Sequence, residues 1–277
     1  FSSSPEIYDN SLQAWFKDMT NYDLSLMHFL FGAGAEMANE LGIKTEAAHW
    51  NKLKSQLPDF DLDNEGSLTF AKGFPYNASH RHFSHALAIH PLGIIDWSDG
   101  EKAQRIIRAT LKKMNDYGLD YWTGYTYSWF ANMQARAFNG EEAAKALRTF
   151  AECFCLKNTF HANGDQSASG KSKFTYRPFT LEGNFAFAAG IHEMLLQSHT
   201  GVIRVFPAVP ESWKNVSFNN LRAMGGFLVS AALKDGKVVR LEIYAEKGGR
   251  LAVFSPFEHK VVEYDTQPGS RIDLAVE

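Results

Sequence analysis

The chain has 277 residues, of which 45% are hydrophobic and 14% aromatic, so it can bury the core of one large domain or two modest ones. Its formal net charge of −3 gives no electrostatic reason to expect nucleic acid or an anionic membrane surface as a partner. The sequence has no apolar run near the roughly 18 residues of a membrane span, and its first ten residues do not resemble a signal peptide.

Helical periodicity dominates the first two hundred residues, after a loop predicted over residues 1–14. A histidine-rich segment and a polar Gly/Ser/Lys-rich loop at 163–173 interrupt it, and residues 59–79 suggest a small hairpin or an irregular excursion. The spacing of apolar residues predicts helices over residues 15–42, 45–57, 99–117, 126–138, 141–157 and 185–198.

After Gly201 the hydrophobic period changes from 3.6 to 2, which predicts strands. Lys234-Asp235-Gly236 separates two of these strands and carries the Asp-Gly pair that is typical of a tight hairpin. The C-terminal quarter is therefore predicted to be an antiparallel β domain, with strands over residues 202–209, 226–233, 237–246, 250–255, 260–264 and 272–276.

Consecutive helical hairpins followed by a β tail predict part of a helical toroid with an antiparallel, sandwich-like β domain beside it. We place the helical domain at residues 1–200 and the β domain at residues 201–277. A closed ring of helix pairs needs about twice as many helices as this sequence shows, so the pattern indicates the second half of such a ring.

Two carboxylates, Glu6 and Glu182, lie just ahead of helical runs. The unpaired N–H groups and the dipole at a helix start favour negative charge there, so Glu182 is placed to act as a base. In inverting glycoside cleavage one protonated acid and one ionised carboxylate face each other across roughly 6.5–9.5 Å. The alternative interpretation of either residue is a helix cap or a surface charge.

The segment HRHFSH at 80–85 concentrates three imidazoles, those of His80, His82 and His85. It does not match the HExxH zinc pattern, so we predict no metal site. Hydrogen bonds to sugar hydroxyls, or an internally satisfied network, explain it better.

An aromatic segment at 124–129 is followed by Arg136, seven residues after Trp129, on the same face of a predicted helix. Trp122 and Trp129 are candidates for stacking on a sugar ring, and core packing is the alternative for each. Nucleotide, dinucleotide and nucleophile-elbow motifs are missing from the sequence, and Cys153 has the apolar neighbours of a structural thiol.

Several segments, in their order and spacing, resemble glycoside hydrolase family 95 over nearly the whole chain. The segments are SPE at 4–6, HRHFSH at 80–85, SW at 128–129, AR at 135–136, EGNFAFAAGIHEMLLQS at 182–198, PAVP at 207–210 and LRAMGGF at 221–227.

The resemblance implies an inverting exo-α-L-fucosidase, or in some members an α-L-galactosidase, built on an (α/α)6 barrel flanked by β domains and needing neither metal nor organic cofactor. Glu6 then corresponds to the general acid. Glu182 falls where the family usually has Asp as the base, and is one methylene longer. The residues implied to hold the sugar are His80, His82, His85, Trp129, Arg136 and Asn184.

The family also holds its nucleophilic water with asparagines from an earlier part of the chain, and nothing here precedes Phe1. We therefore expect the 277 residues to be the C-terminal part of a longer polypeptide, or to pair with a separate N-terminal chain. A non-catalytic carbohydrate-binding or scaffold fragment is the alternative function, and an interaction module using the β tail is a third. Secretion or a periplasmic location is expected from the substrate class alone.

Overall fold

The computed structural model describes residues 16–274, which form a helical part followed by a β part. All six predicted helices occur in it. Two short 3₁₀ helices, Ser84–Ala86 and Trp97–Asp99, lie between the second and third of them. The six α-helices are α1 (Asn21–Glu40), α2 (Lys44–Ser55), α3 (Glu101–Asp116), α4 (Gly124–Arg136), α5 (Gly140–Cys153) and α6 (Glu182–Leu195).

Local side chains explain where two of these helices begin. The Thr20 hydroxyl accepts a hydrogen bond from the Asp23 N–H and so caps α1. The side chain of Asn139 does the same for α5 by accepting from the Glu142 N–H. Between α1 and α2 the chain reverses at Gly42, whose φ of 72° suits glycine.

The excursion at 59–79 is irregular, with isolated strand pairings such as Leu62 with Leu68. The buried side chain of Asn21 fixes it by donating hydrogen bonds to the carbonyls of Asp61 (2.9 Å) and Thr69 (2.8 Å). The excursion is therefore folded back onto the start of α1.

The prediction that the last helix runs to residue 198 is wrong. It ends at Leu195, because Leu196 and Gln197 turn into a strand that pairs with Arg204 and Val205. Strand pairing satisfies backbone groups that another helical turn would otherwise have used.

The β part contains two four-stranded sheets, with strand orders β1-β2-β6-β7 and β3-β4-β5-β8. All pairings within these sheets are antiparallel except that of β2 with β6. The strands are β1 (Leu196–Gln197), β2 (Val202–Val205), β3 (Val216–Ala223), β4 (Phe227–Lys234), β5 (Lys237–Ala245), β6 (Gly249–Ser255), β7 (Lys260–Thr266) and β8 (Arg271–Leu274).

The predicted hairpin between β4 and β5 is confirmed. Asp235 and Gly236 have φ values of 51° and 77°, the left-handed conformation that a two-residue hairpin turn needs. Strand β3 was not predicted, because its register shifts between Phe218 and Leu221 and the shift breaks the alternation that marks a strand.

Each part has its own hydrophobic core. Trp122, Met133 and Phe150 are among the buried side chains of the helical core, and Val229 and Leu241 belong to the core of the β part. Closure of a helical barrel and packing of the sheets as a sandwich stay predictions. Among the described helices, none has the length and apolarity that crossing a bilayer requires.

Candidate active site

Helices α4 and α6 run side by side in the same direction. The Ser128 hydroxyl donates to the carbonyl of Gly183 (3.2 Å), and one turn further on the Asn132 amide donates to the carbonyl of Ala186 (2.9 Å). Since these contacts advance toward the C-terminus on both helices, the two N-terminal ends lie together. Their positive dipole ends therefore point to the same region.

Glu182 is the first residue of α6, and its side chain is exposed at this shared end. The preceding residue, Leu181, contributes no side-chain cap, and its carbonyl accepts from the N–H groups of Asn184 and Phe185, so the first two N–H groups of α6 gain no bond from it. A carboxylate is electrostatically favoured beside such groups. The predicted placement of Glu182 at a helix start is confirmed, and its role as a base stays a prediction.

Tyr125, the second residue of α4, lies close enough to Glu182 for the carboxylate charge to affect the pKa of its phenol. Burial raises the pKa of its phenol, and the negative charge of Glu182 raises it further. The phenol therefore keeps its proton at neutral pH and remains a hydrogen-bond donor. Sequence reasoning noted the aromatic segment around Tyr125 without selecting this residue.

His161 lies beneath the two helix starts and was missed by sequence reasoning. Its buried ring packs where a Cβ on Gly124 or on Gly183 would overlap it. The Nδ1 atom lies 2.6 Å from the carbonyl of Thr180, which only accepts, so Nδ1 carries the proton. A glycine at the beginning of both helices was the signal in the sequence that a bulky side chain packs there.

The pKa of His161 is lowered by burial, against the opposing effects of its bond to Thr180 and the charge of Glu182. The imidazole is therefore neutral, and its Nε2 has no hydrogen-bond partner among the described residues. His161 thus fixes the residues just before Glu182 and adds no charge of its own.

The side-chain amide of Asn184 forms hydrogen bonds with the backbone of the loop that carries His161. Its Oδ1 accepts from the His161 N–H and its Nδ2 donates to the carbonyl of Thr159, both at 2.9 Å. Asn184 therefore ties this loop to α6, and a contact with sugar stays a prediction.

His80 and His82 lie near the same end of α4, because the Thr126 hydroxyl donates to the carbonyl between them, that of Arg81 (2.8 Å). The Nδ1 of His80 accepts from the His82 N–H (3.0 Å), and Arg81 Nε donates to His82 Nε2 (2.9 Å). Both histidines are half-buried. The structure therefore places them at the end of α4 that adjoins the start of α6.

His85, by contrast, is buried beneath this segment, with 1% of its surface exposed. Its ring centroid is 4.7 Å from that of Phe70 and 5.1 Å from that of Tyr76. Burial, aided by the nearby His80, lowers its pKa to about 3, so the imidazole is neutral. The structure places His85 in the core, and its predicted sugar contact is untested.

Trp129 is half-buried one turn along α4 from Tyr125, with 5.9 Å between their ring centroids. Its indole N–H donates to the carbonyl of His90 (3.1 Å). That bond fixes the orientation of the indole ring.

Arg136 is not brought to Glu182. It is the last residue of α4, eleven residues beyond Tyr125, or about 16 Å along the helix axis. Its guanidinium is buried and makes two hydrogen bonds to Glu193, at 2.7 and 2.8 Å. Glu6 lies outside the described residues, so its separation from Glu182 stays a prediction.

Comparison with known proteins identifies the family of the chain. Residues 1–195 match the family model described as the glycosyl hydrolase family 95 catalytic domain. The chain belongs to glycoside hydrolase family 95. Residues 197–273 match the C-terminal domain of the same family.

Two curated relatives are similar over most of the chain. One is Alpha-L-fucosidase 2 of Arabidopsis thaliana, 31% identical over 232 residues, which cover 81% of this chain and 27% of the relative. The other is Probable alpha-fucosidase A of Aspergillus niger, 23% identical over 247 residues, which cover 84% and 28%. The chain thus spans about a quarter of the length of these relatives.

Proposed function

We propose that the polypeptide carrying this chain hydrolyses terminal α-L-fucosyl, or α-L-galactosyl, residues of oligosaccharides with inversion of configuration. The observation that carries the proposal is the exposed carboxylate of Glu182 at the joint N-terminal end of α4 and α6. The membership in family 95 and the names of the two relatives support the substrate class.

In this mechanism Glu182 takes a proton from the attacking water while Glu6, protonated, donates one to the leaving oxygen. An inverting pair needs room for that water, which sets a separation of roughly 6.5–9.5 Å between the carboxyl groups. The additional methylene of Glu182 over Asp changes where the water is held. Tyr125 supplies a protonated phenol beside the carboxylate.

His80 and His82 are proposed to bind the sugar because they lie at the end of α4 that adjoins the start of α6, and Trp129 because it lies one turn further along α4 from Tyr125. His85, Arg136 and Asn184 are also proposed to bind the sugar, in addition to the contacts that they make within the protein. No metal or organic cofactor is part of this mechanism. Secretion, or export to the periplasm, is proposed from the substrate class.

We also propose that an N-terminal portion, in the same polypeptide or in a separate chain, packs on this one. Two helices support this by exposing large apolar side chains: Phe29, Leu30 and Met37 on α1, and Phe185 on α6. Such surfaces are typical of packing interfaces. The division into a half barrel at 1–200 and a β domain at 201–277 belongs to this proposal.

A catalytically incomplete glycan-binding or scaffold fragment is the second candidate, favoured by the chain's coverage of only 27–28% of its relatives. Release of L-fucose and L-galactose from nitrophenyl glycosides, by the chain alone and by the full polypeptide, separates the two. Sugar binding without turnover in both preparations favours the second candidate.

The decisive variants are Glu6→Gln and Glu182→Gln in the full polypeptide. Loss of general acid or base catalysis lowers the rate by about 10²–10⁴-fold. Glu101→Gln is the matched control, because Glu101 is also an exposed first residue of a helix. NMR should show that the sugar first released has inverted configuration, and retention would overturn the mechanism.

A further inference from the structure

A large cavity lies between the helical part and both sheets, away from Glu182. Its volume is about 940 Å³, and none of the predicted site residues lines it. Its helical wall includes Phe138, which follows the C-terminal end of α4. Because α4 has 13 residues, this end lies about 20 Å from the end that meets Glu182.

The cavity combines aromatic side chains with a few polar groups, which is the usual composition of a site for a small organic ligand. The ring centroids of Trp97 and Phe138 are 6.3 Å apart on the helical side. Its volume suits several linked sugar units better than a single ion. The aromatic residues that line it are Trp97, Phe138, Phe206, Phe254 and Phe257.

The ionisable side chains that line the cavity are all basic. Among its lining residues Arg204, Lys237 and His259 are basic and none is acidic. This differs from the whole chain, which has 31 acidic residues against 28 lysines and arginines. A cavity lined this way is electrostatically complementary to an anion.

Arg204 is the half-buried member of this set. Its Nη1 donates to the Thr200 hydroxyl (3.2 Å) and, at 3.5 Å, to the carbonyl of Val202. Burial lowers the pKa of Arg204, and the charge of Asp96 opposes that effect. No carboxylate between residues 16 and 274 forms a salt bridge with it, so the charge of Asp96 compensates the lost hydration of the guanidinium only from a longer distance.

We propose that this cavity is a second glycan site that binds an acidic sugar residue. The carboxylate pairs with Arg204, supported by Lys237, and the sugar ring packs on the aromatic wall. A carboxylate fits because it accepts two parallel hydrogen bonds from a guanidinium, which a neutral sugar does not. Family membership favours a glycan as the occupant, and the proposal does not depend on hydrolysis at Glu182.

The test is calorimetric titration of the full polypeptide with a short oligogalacturonate and with a neutral oligogalactoside of equal length. The acidic ligand should bind about tenfold tighter or better at low salt, and this preference should shrink as salt screens the exposed charges. Arg204→Gln should weaken acidic binding about tenfold and Lys237→Gln about threefold.

Lys234→Gln is the matched control, since Lys234 pairs with Lys237 across the same hairpin and does not line the cavity. Lys237→Gln should leave L-fucose release unchanged, so the outcome of this test and that of the proposed hydrolysis are read separately. Equal affinities for the two ligands, or equal effects of the two lysine variants, would overturn the assignment. Absence of saturable binding, as expected if another segment of the polypeptide fills the cavity, would also overturn it.

Discussion

The two ends of the α4–α6 pair differ in how exposed their charged side chains are. At the N-terminal end the carboxylate of Glu182 is exposed, with the phenol of Tyr125 nearby. At the C-terminal end Arg136 and Glu193 are buried against each other, with 7% and 15% of their side chains exposed. One end keeps its charge accessible, whereas the other neutralises its charges internally.

Because of this difference, we expect stability to depend on one end of the helix pair and catalysis on the other. A buried ion pair is tolerated only when both partners stay in place, because either one alone would be an uncompensated charge. An exposed carboxylate at a helix start needs no such partner. Changes at the C-terminal end should therefore alter unfolding, and changes at the N-terminal end should alter turnover.

The largest expected effect on stability is that of Arg136→Ala, which leaves Glu193 buried without its partner. We expect a loss of about 3–5 kcal/mol in the free energy of unfolding, measured by urea denaturation. The control is Arg250→Ala, which breaks an exposed pair with Glu263 and should leave the midpoint unchanged. An unchanged midpoint together with a raised KM would instead place Arg136 in sugar binding.

The pH dependence of stability tests the buried His85 beneath the site. Because burial lowers its pKa from 6.5 to about 3, its contribution is complete above pH 6.5 and is lost as the pH falls toward 3. Below pH 6.5 the free energy of unfolding should fall by about 1.4 kcal/mol per pH unit because of His85, or roughly 2 kcal/mol by pH 5. The His85→Phe variant should lack this fall.

Denaturant midpoints between pH 7 and pH 5 measure this effect. The exposed His49, replaced by Asn, controls for the general consequence of removing a histidine. Parallel pH profiles for the protein and the His85→Phe variant would contradict the expectation. A selective rise in KM at unchanged stability would support the predicted sugar contact.

A smaller loss is expected for Gly183→Ala, because the new Cβ overlaps the ring of His161. Forcing an additional methyl into this packing costs about 1–3 kcal/mol, and the shift of Glu182 should also lower turnover. Gly32→Ala is the matched control inside α1, where the nearest atom is Lys54 Nζ at 3.4 Å. That variant should gain about 0.5–1 kcal/mol, and equal behaviour of the two would disprove the clash.

The smallest expected effect is that of Tyr125→Phe, which removes the phenol beside Glu182 and keeps the ring. We expect kcat/KM to fall by about tenfold at most, with an unchanged denaturation midpoint. Tyr121→Phe is the control, because Tyr121 is exposed near Phe174. An equal fall in both variants would show that the effect is not specific to the neighbour of Glu182.

Local patterns in the sequence were enough for the order of helices and for most strands. The six helices have apolar residues at helical spacing, and the β4–β5 turn has its Asp-Gly pair. Strand β3 was missed because a bulge interrupts its alternation, and the last helix was drawn too long because Leu196 pairs with Val205. Both errors arise where a partner distant in sequence determines the backbone.

The candidate site divides in the same way. Glu182 was recognised because a carboxylate followed by a helical pattern is a local signal. His161 was not recognised, because its role depends on Gly124 and Gly183, which lie 37 residues before it and 22 residues after it. Arg136 was associated with sugar through its spacing from Trp129 and the family resemblance, and its pairing with Glu193 became visible only in the fold.

The sequence by itself determined which segments are helices or strands, the family of the chain and the position of Glu182 at a helix start. These follow from periodicity and motifs, which act over a few residues at a time. Tertiary structure decided that α4 and α6 run in parallel, that His161 supports their ends, and that a basic cavity opens between the helices and the sheets. Such features depend on contacts between residues far apart in the chain, and a single sequence does not encode those contacts in any local pattern.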